Sequence, residues 1–454
     1  MKLLRSALLV GLALPLLASC EPVDRRAVEE KREAEYVVPK PDAQYLRKTM
    51  APDYVKPAGA HSECLGRLMF DVPKPVQWPE IPFFGGHWSQ QFSENVAGGR
   101  IEIGKIEMIV FKKGLGSSIN ELANTEDTSK NYRIDKLTSR LKNLEGDIQV
   151  QREVMKTEPP SERKGSEEWM TARQSEQEEM RSMLAESKEW GPIPNNVPGA
   201  VVWWRGDEPR DWLALHEKRL RTLVFSAFIE RDGYIYAFRT TQEKDRATLQ
   251  KEFLDFLSRW RPRADGEIPS DIGLCIPHGF IADDGSTPYE ILMHIRHGDA
   301  LGVLYKITTA TVDPRLGPET TAITSAGRAL AGTIVGYEKE LVDKYVQKKI
   351  GPRNVKIGAL TAQQGGFAAQ KPDKAGRPVN IYSVYTGYGG WQDTHVLPSI
   401  IVELESVARE DAPELTQNPP PFEQSMERLD VLLAGMRLRP TQPPMPELRG
   451  LTGK

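Results

Sequence analysis

The chain has 454 residues, 60 Lys and Arg against 63 Asp and Glu, a net charge of −3 and three cysteines. That length exceeds what one hydrophobic core serves and fits two domains with additions. The mildly acidic balance excludes the electrostatic footprint of a nucleic-acid binder.

Lys2 and Arg5 form a positive n-region, and Ala7 to Leu17 is an apolar run of signal-peptide length, too short for a membrane span. It ends in Leu17-Ala18-Ser19-Cys20, which resembles the bacterial lipobox, so Cys20 is expected to carry lipid and residues 1–20 to be a lipoprotein signal peptide. Its removal takes two positive charges and moves the net charge from −3 to −5. Glu21 is not the aspartate that resembles an inner-membrane retention signal, which points to the periplasm and the inner face of the outer membrane. Residues 21–62, charged and punctuated by Pro22, Pro39, Pro41, Pro52 and Pro57, read as a tether.

An N-terminal domain is expected over residues 63–265. It opens on Cys64 and a strand from Leu65 to Val72, followed by a strand from Ile101 to Phe111 whose alternation slips between Ile103 and Ile106. Gly114-Leu115-Gly116-Ser117 has no lysine behind it, and Ser118-Ile-Asn-Glu121 reads as a capping box opening a helix to about Leu144. Residues 147–190 hold eleven acidic and seven basic side chains around Pro159-Pro160. They read as a charged insertion with a solvated helix from Glu167 to Glu189, either a surface decoration or a partner-binding arm. Strands follow at Ala200 to Trp204, Arg219 to Ile229 and Tyr234 to Thr241, the last two joined by the hairpin signal Asp232-Gly233. Leu249, Phe253, Phe256, Leu257 and Trp260 then form the apolar stripe of a helix that Arg259-Trp260-Arg261-Pro262 ends.

A second domain is expected over residues 271–440, with 441–454 as a frayed tail. It opens on Cys275 and reads as strands at Gly279 to Ala282, Tyr289 to Arg296 and Ala300 to Thr308, with His297-Gly298-Asp299 as a turn. A helical pair is expected around Thr321 to Ala331 and Tyr337 to Lys348, then strands at Val355 to Leu360, Val379 to Tyr385 and Ser399 to Leu404. Phe422, Met426, Leu429, Leu432, Leu433 and Met436 form the stripe of a last helix, closed by Arg437-Leu438-Arg439-Pro440. Both units therefore run from cysteine and strand, through sheet, to a helix ended by Arg-x-Arg-Pro. That order predicts an internal duplication, and hairpins with helices set apart predict an α+β fold of two similar domains, each an antiparallel sheet with packed helices. Cys64 and Cys275 open equivalent strands, as a disulfide or as two buried thiols at matching core positions.

The chain has no Gly-x-Ser-x-Gly, His-Glu-x-x-His, paired Cys-x-x-Cys or Walker lysine, so no catalytic set, metal site, cofactor or small-molecule substrate is expected. Ile291 to Ala300, with Arg296-His297-Gly298, resembles the strand and Arg-His-Gly signature of histidine phosphatases, with Arg328 and His395 as further members. The same residues serve equally as a polar hairpin turn. The segments 64–73, 273–281 and 432–440 resemble the immunity proteins cognate to type VI secretion lipase effectors of the fourth lipase class, over about residues 62–440. That resemblance implies a periplasmic inhibitor that binds a phospholipase and blocks its active site, rather than an enzyme. The other function left open is a general envelope binding or assembly lipoprotein. An inhibitor works by occupancy and draws affinity from a few aromatic and arginine anchors. Candidates are Trp203, Trp204, Arg205, Tyr385, Tyr388 and Trp391, the tyrosines in a glycine-rich stretch from Thr386 to Gly390. Each could equally be core.

Overall fold

The computed structural model describes residues 41–72, 76–77, 101–113, 118–206, 222–312, 345–392, 394–412 and 415–451. The signal peptide, Cys20, the first part of the tether, Gly114 to Ser117, Arg328 and the expected helix from Thr321 to Ala331 lie outside them.

Asp42 caps a short helix α1 (Ala43–Lys48) by accepting from the Tyr45 amide. Leu46 sinks into the core, the Tyr45 ring meets Trp391 edge-on at 5.5 Å, and Arg47 Nε donates to the Leu451 carbonyl at 3.1 Å. The end of the expected tether is thus part of the folded body. The single strand expected after Cys64 is a hairpin, β1 (His61–Leu65) and β2 (Leu68–Val72), turning at Gly66-Arg67. Gly66 has φ +56°, and a Cβ there would stand 2.6 Å from the Tyr289 ring, so only glycine fits.

After β3 (Val76–Gln77) come β4 (Ile101–Ile103) and β5 (Ile106–Lys112). The slip in their alternation is a two-residue turn, with Ile103 opposite Ile106. The capping box at Ser118 and Glu121 starts α2 (Ile119–Thr157), which runs well past Leu144 because nothing breaks a helix before Pro159-Pro160. It pairs with α3 (Arg163–Glu189) around Leu141, Leu144, Ile148, Met170 and Met180. Arg140–Glu176 (3.2 Å) and Arg181–Glu145 (2.9 Å) line the outside. The charged segment is therefore the distal part of a helical hairpin whose first helix is about 58 Å long at 1.5 Å per residue.

Strands β6 (Gly191–Pro192), β7 (Ala200–Gly206), β8 (Leu223–Arg231) and β9 (Tyr234–Gln242) follow, with Asp232 and Gly233 both at positive φ in the expected hairpin turn. Helix α4 (Arg246–Ser258), capped by Asp245, packs Phe253 on Phe225 and Phe256 on Phe238. Then come β10 (Trp260–Pro262), β11 (Gly273–Ile276), β12 (Gly279–Ala282), β13 (Tyr289–His297) and β14 (Ala300–Ala310). The chain continues through β15 (Val346–Ile357), β16 (Leu360–Pro372), β17 (Pro378–Tyr388), β18 (Ser399–Ser406), α5 (Phe422–Gly435) and β19 (Arg437–Leu438). Residues 346–348 of the second expected helix are strand, and Val355 to Leu360 contains a turn at Gly358-Ala359. The tail is not frayed: Met445 and Leu448 are buried.

The class is α+β with antiparallel sheet, but the two expected sheets are continuous. Thirteen strands form one sheet, ordered β15-β16-β17-β18-β14-β13-β4-β5-β9-β8-β7-β6 with β3 beside β13. The seam is β4 on β13, where Ile101 faces Ile291 and Ile103 faces Tyr289. Outward from this seam the N-terminal half runs β4-β5-β9-β8-β7-β6 and the C-terminal half β13-β14-β18-β17-β16-β15, the same permutation twice. Helices α4 and α5 fill matching places on one sheet face. There Tyr382 meets Phe422 at 5.6 Å and its hydroxyl bonds the Ser425 hydroxyl at 2.7 Å.

The Arg-x-Arg-Pro segments are more than helix stops. Each leaves its helix as a strand and crosses to the other half. β10 pairs with β12 of the C-terminal hairpin, and β19 pairs with β2 of the N-terminal one. The two hairpins meet at Gly66 and Cys275, whose amides and carbonyls bond reciprocally at 2.7 and 2.8 Å, and Cys64 is disulfide-bonded to Cys275. Around this junction the Arg67 guanidinium grips both Asp283 oxygens at 3.2 and 2.9 Å, and Arg263 holds Glu63 at 2.5 Å, all four side chains buried. Arg439 donates to the carbonyls of Pro269, Asp271 and Gly273.

Candidate partner-binding surface

Strand alternation sends every second side chain to the sheet face opposite α4 and α5. At the free ends of β5, β8 and β9 that face is apolar. Ile109, Phe111, Phe228, Ile235 and Ala237 pack there under Ile119 and Leu122 of α2. Farther along, α2 is tied down by the ion pair of Glu126 with Arg205 (3.3 Å) and by Lys130 Nζ donating to the Trp190 carbonyl at 2.5 Å.

Away from those ends, on both sides of the seam, the same face turns polar. One cross-strand row reads Trp203, Ser226, Arg239, Glu107, Glu102, Glu290. Another, in the C-terminal half, reads His294, Lys306, Glu403, Tyr385. Lys306 Nζ bridges to Glu405 at 2.8 Å. Burial pushes the Glu403 carboxyl up, opposed by Lys306 and reinforced by Glu405. Burial, with the nearby Lys306 and Arg296 charges, holds His294 down at about 4, and neither of its ring nitrogens has a hydrogen-bond partner. Most of these side chains are half-buried rather than sealed.

Of the anchors expected from the sequence, Trp203 and Arg205 lie on this face, Trp203 half-buried. Trp204 points the other way into the core, under the Arg246 guanidinium at 3.7 Å. Two successive strand residues must separate in this way, and the core face claims the second tryptophan. Tyr385 and Tyr388 are 7 % and 5 % exposed, because β17 runs on through Tyr388 and takes in the first three residues of the expected glycine-rich loop. Trp391 packs against the core beside Tyr45. The charged rows went unseen. Their signal was present, charges at every second position such as Glu403 and Glu405, but a single strand does not say which strands lie beside it.

His297 is the last residue of β13, opposite Ala300, with Gly298-Asp299 as the expected turn. Its ring lies buried, edge-on to Tyr305 at 5.2 Å, and Asp299 ties the turn to α5 through Arg428 at 2.7 Å. A ring packed into the core cannot reach a phosphoester, so the phosphatase alternative is not supported. Among the described residues no group of three or more His, Cys, Asp or Glu could hold a metal ion, and no helix is long and apolar enough to cross a membrane.

Residues 267–441 match the family described as the Tle cognate immunity protein 4 C-terminal domain. No curated protein matches. Among solved structures, the chain is similar to the type VI secretion immunity protein TplEi from Pseudomonas aeruginosa in complex with an "L" peptide, at 14 % identity over 85 % of this chain and 99 % of that one, TM-score 0.42. It is also similar to the apo form of TplEi (14 %, 85 % and 98 %, TM-score 0.43) and to a chain in the crystal structure of a Tle4–Tli4 complex (15 %, 85 % and 100 %, TM-score 0.46).

Proposed function

We propose that this protein is an immunity protein that binds a cognate type VI lipase effector in the periplasm and blocks access to its active site. The observation that carries this reading is the match of residues 267–441 to the C-terminal domain of a Tle cognate immunity protein. The charged face across the seam, from Trp203 and Arg239 through Glu102 and Glu290 to Lys306 and Glu403, supports it, since a lipase mouth can be covered by occupancy without any chemistry on the inhibitor. Producing the lipase alone in the periplasm should kill cells, and producing this protein beside it should rescue them. Purified protein should abolish lipid hydrolysis at about one-to-one stoichiometry. A lipase from the neighbouring gene that stays fully active in that mixture removes the reading.

Lipid anchoring at Cys20, the units 63–265 and 271–440, and their origin by duplication belong to the same proposal. The repeated strand order and the exchanged Arg-x-Arg-Pro strands support the last of these. Cys20→Ser should release the protein from membranes, and unchanged fractionation with the outer membrane would exclude the anchor.

A further inference from the structure

We propose that the Cys64–Cys275 bond is a redox lock on the crossed-strand junction, so that the junction closes only in an oxidising compartment. Cys64 belongs to the hairpin of the N-terminal half and Cys275 to that of the C-terminal half, and each hairpin is completed by a strand from the opposite half. The bond therefore joins two pieces that the chain itself connects only through a loop of 211 residues.

One side of the hairpins joins the main core through Leu65, Leu68, Phe70, Val72, Leu274, Ile276 and Ile281, and the side that carries the bond is held more sparsely. Its apolar cluster is small: Cys64, Met69, Cys275 and Phe280, with Ile268 and Ala282 beside them. The remainder is buried charge, three arginines (Arg67, Arg263, Arg439) against Glu63 and Asp283. Burial and the neighbouring Arg67 pull Arg439 down to about 10, the mark of a cation kept from water without a full counter-charge. Ion pairs in such a setting scarcely repay their desolvation, so they fix geometry more than they add stability. Closing a loop of this length covalently shifts the folding equilibrium by about 10³- to 10⁴-fold in the chain-entropy model, on the side of the junction where the apolar cluster is small.

The chemistry is thiol–disulfide exchange with a small disulfide such as oxidised glutathione. The thiolate of one cysteine attacks that disulfide and releases one glutathione thiolate. The second cysteine thiolate then attacks the mixed disulfide and releases the other. Two electrons pass from the protein thiols to the oxidant, and their two protons end on the glutathione thiols. Both sulfurs are fully buried once bonded, so a reductant reaches them only through an opened junction.

The test is hydrogen exchange on the full chain, read at peptides covering 61–72 and 273–282, with β8 and β9 as reference. Oxidised wild type, wild type purified reduced, and Cys64→Ala/Cys275→Ala are compared. The oxidised form should protect both hairpins. The other two should exchange there at least about 100-fold faster, and oxidised glutathione should restore protection to the reduced wild type as two thiols disappear. Should the alanine variant lose protection everywhere, the reduced wild type decides. Protection that returns only as the thiols are consumed upholds the lock. Hairpins equally protected in all three forms, or protected before any thiol is lost, overturn it. The outcome is independent of any lipase.

Discussion

Asp283→Ala tests the junction at its most exposed weakness. Arg67 is 1 % exposed, bonded to both Asp283 oxygens and to the Thr287 carbonyl at 3.2 Å, with its guanidinium 5.6 Å from the Tyr289 ring centre. Deleting the carboxylate leaves that cation buried with a carbonyl and a ring face as company, and with Arg439 acting on it as a like charge. An uncompensated buried charge of this kind costs about 3–5 kcal/mol. At roughly 2.1 cal/mol/K per residue over ~400 folded residues, the melting temperature should fall by about 4–6 °C. Replacing both partners by apolar residues of similar size, Arg67→Met with Asp283→Leu, should return stability to within about 1 kcal/mol of wild type. Urea unfolding followed by tryptophan fluorescence on the two single variants and the double closes the cycle. A loss below about 1 kcal/mol for Asp283→Ala, or a double variant worse than either single, would refute the assignment of a desolvated, mutually dependent pair.

Trp204→Ala should cost about 3–5 kcal/mol in unfolding experiments because that ring fills the core. Trp203→Ala should leave unfolding nearly unchanged and instead raise the dissociation constant for the lipase, measured by calorimetry. Lys306→Glu, which turns the Lys306–Glu405 pair into like charges on the open face, should weaken lipase binding at least about tenfold and more strongly at low salt. His294 has its folded pKa near 4, below the usual 6.5, so the unfolded chain takes up the proton first. Its contribution is complete above about pH 6.5 and is lost as pH falls towards 4. Wild type should therefore lose about 2 kcal/mol between pH 7 and 5 that His294→Leu does not, read as a shallower pH dependence of the urea midpoint. Gly66→Ala should destabilise by about 2 kcal/mol or more through its positive φ and the clash with Tyr289. An unchanged melting curve would count against the close approach of the hairpin to β13.

Local chemistry was legible wherever one residue type answers one geometric need. The Ser118–Glu121 box, the Asp232-Gly233 hairpin, the Gly298-Asp299 turn and the stripe of α5 could all be read directly. Apolar runs hid turns. Ile103 to Ile106, Leu65 to Leu68 and Ile357 to Leu360 each fold back within two residues, and a run of large apolar residues with a glycine in it looks like one strand until its alternation is tracked. Strand β16, from Leu360 to Pro372, was missed because Gln, Gly and Ala carry little strand preference and it is pairing on both sides that holds it. The partner face was the least legible part. Trp204 and Tyr388 were attractive as anchors by type, yet size and polarity alone do not tell a core aromatic from an interfacial one. The charged rows exist only once the strands are placed side by side, Lys306 opposite Glu403 and Glu102 opposite Glu290.

The crossing of the final strand to the first hairpin has a consequence for how the chain is made. Residues 68–72 leave the ribosome about 365 residues before the strand that completes their three-stranded sheet, at Arg437 and Leu438. At about 5–20 residues per second the gap is roughly 20–70 s, far longer than a hairpin takes to form. Throughout that interval the β1-β2 hairpin lacks its closing edge, so this small sheet cannot be completed ahead of the C-terminal half. That small sheet is kept open by its own topology until the strand at Arg437 and Leu438 arrives.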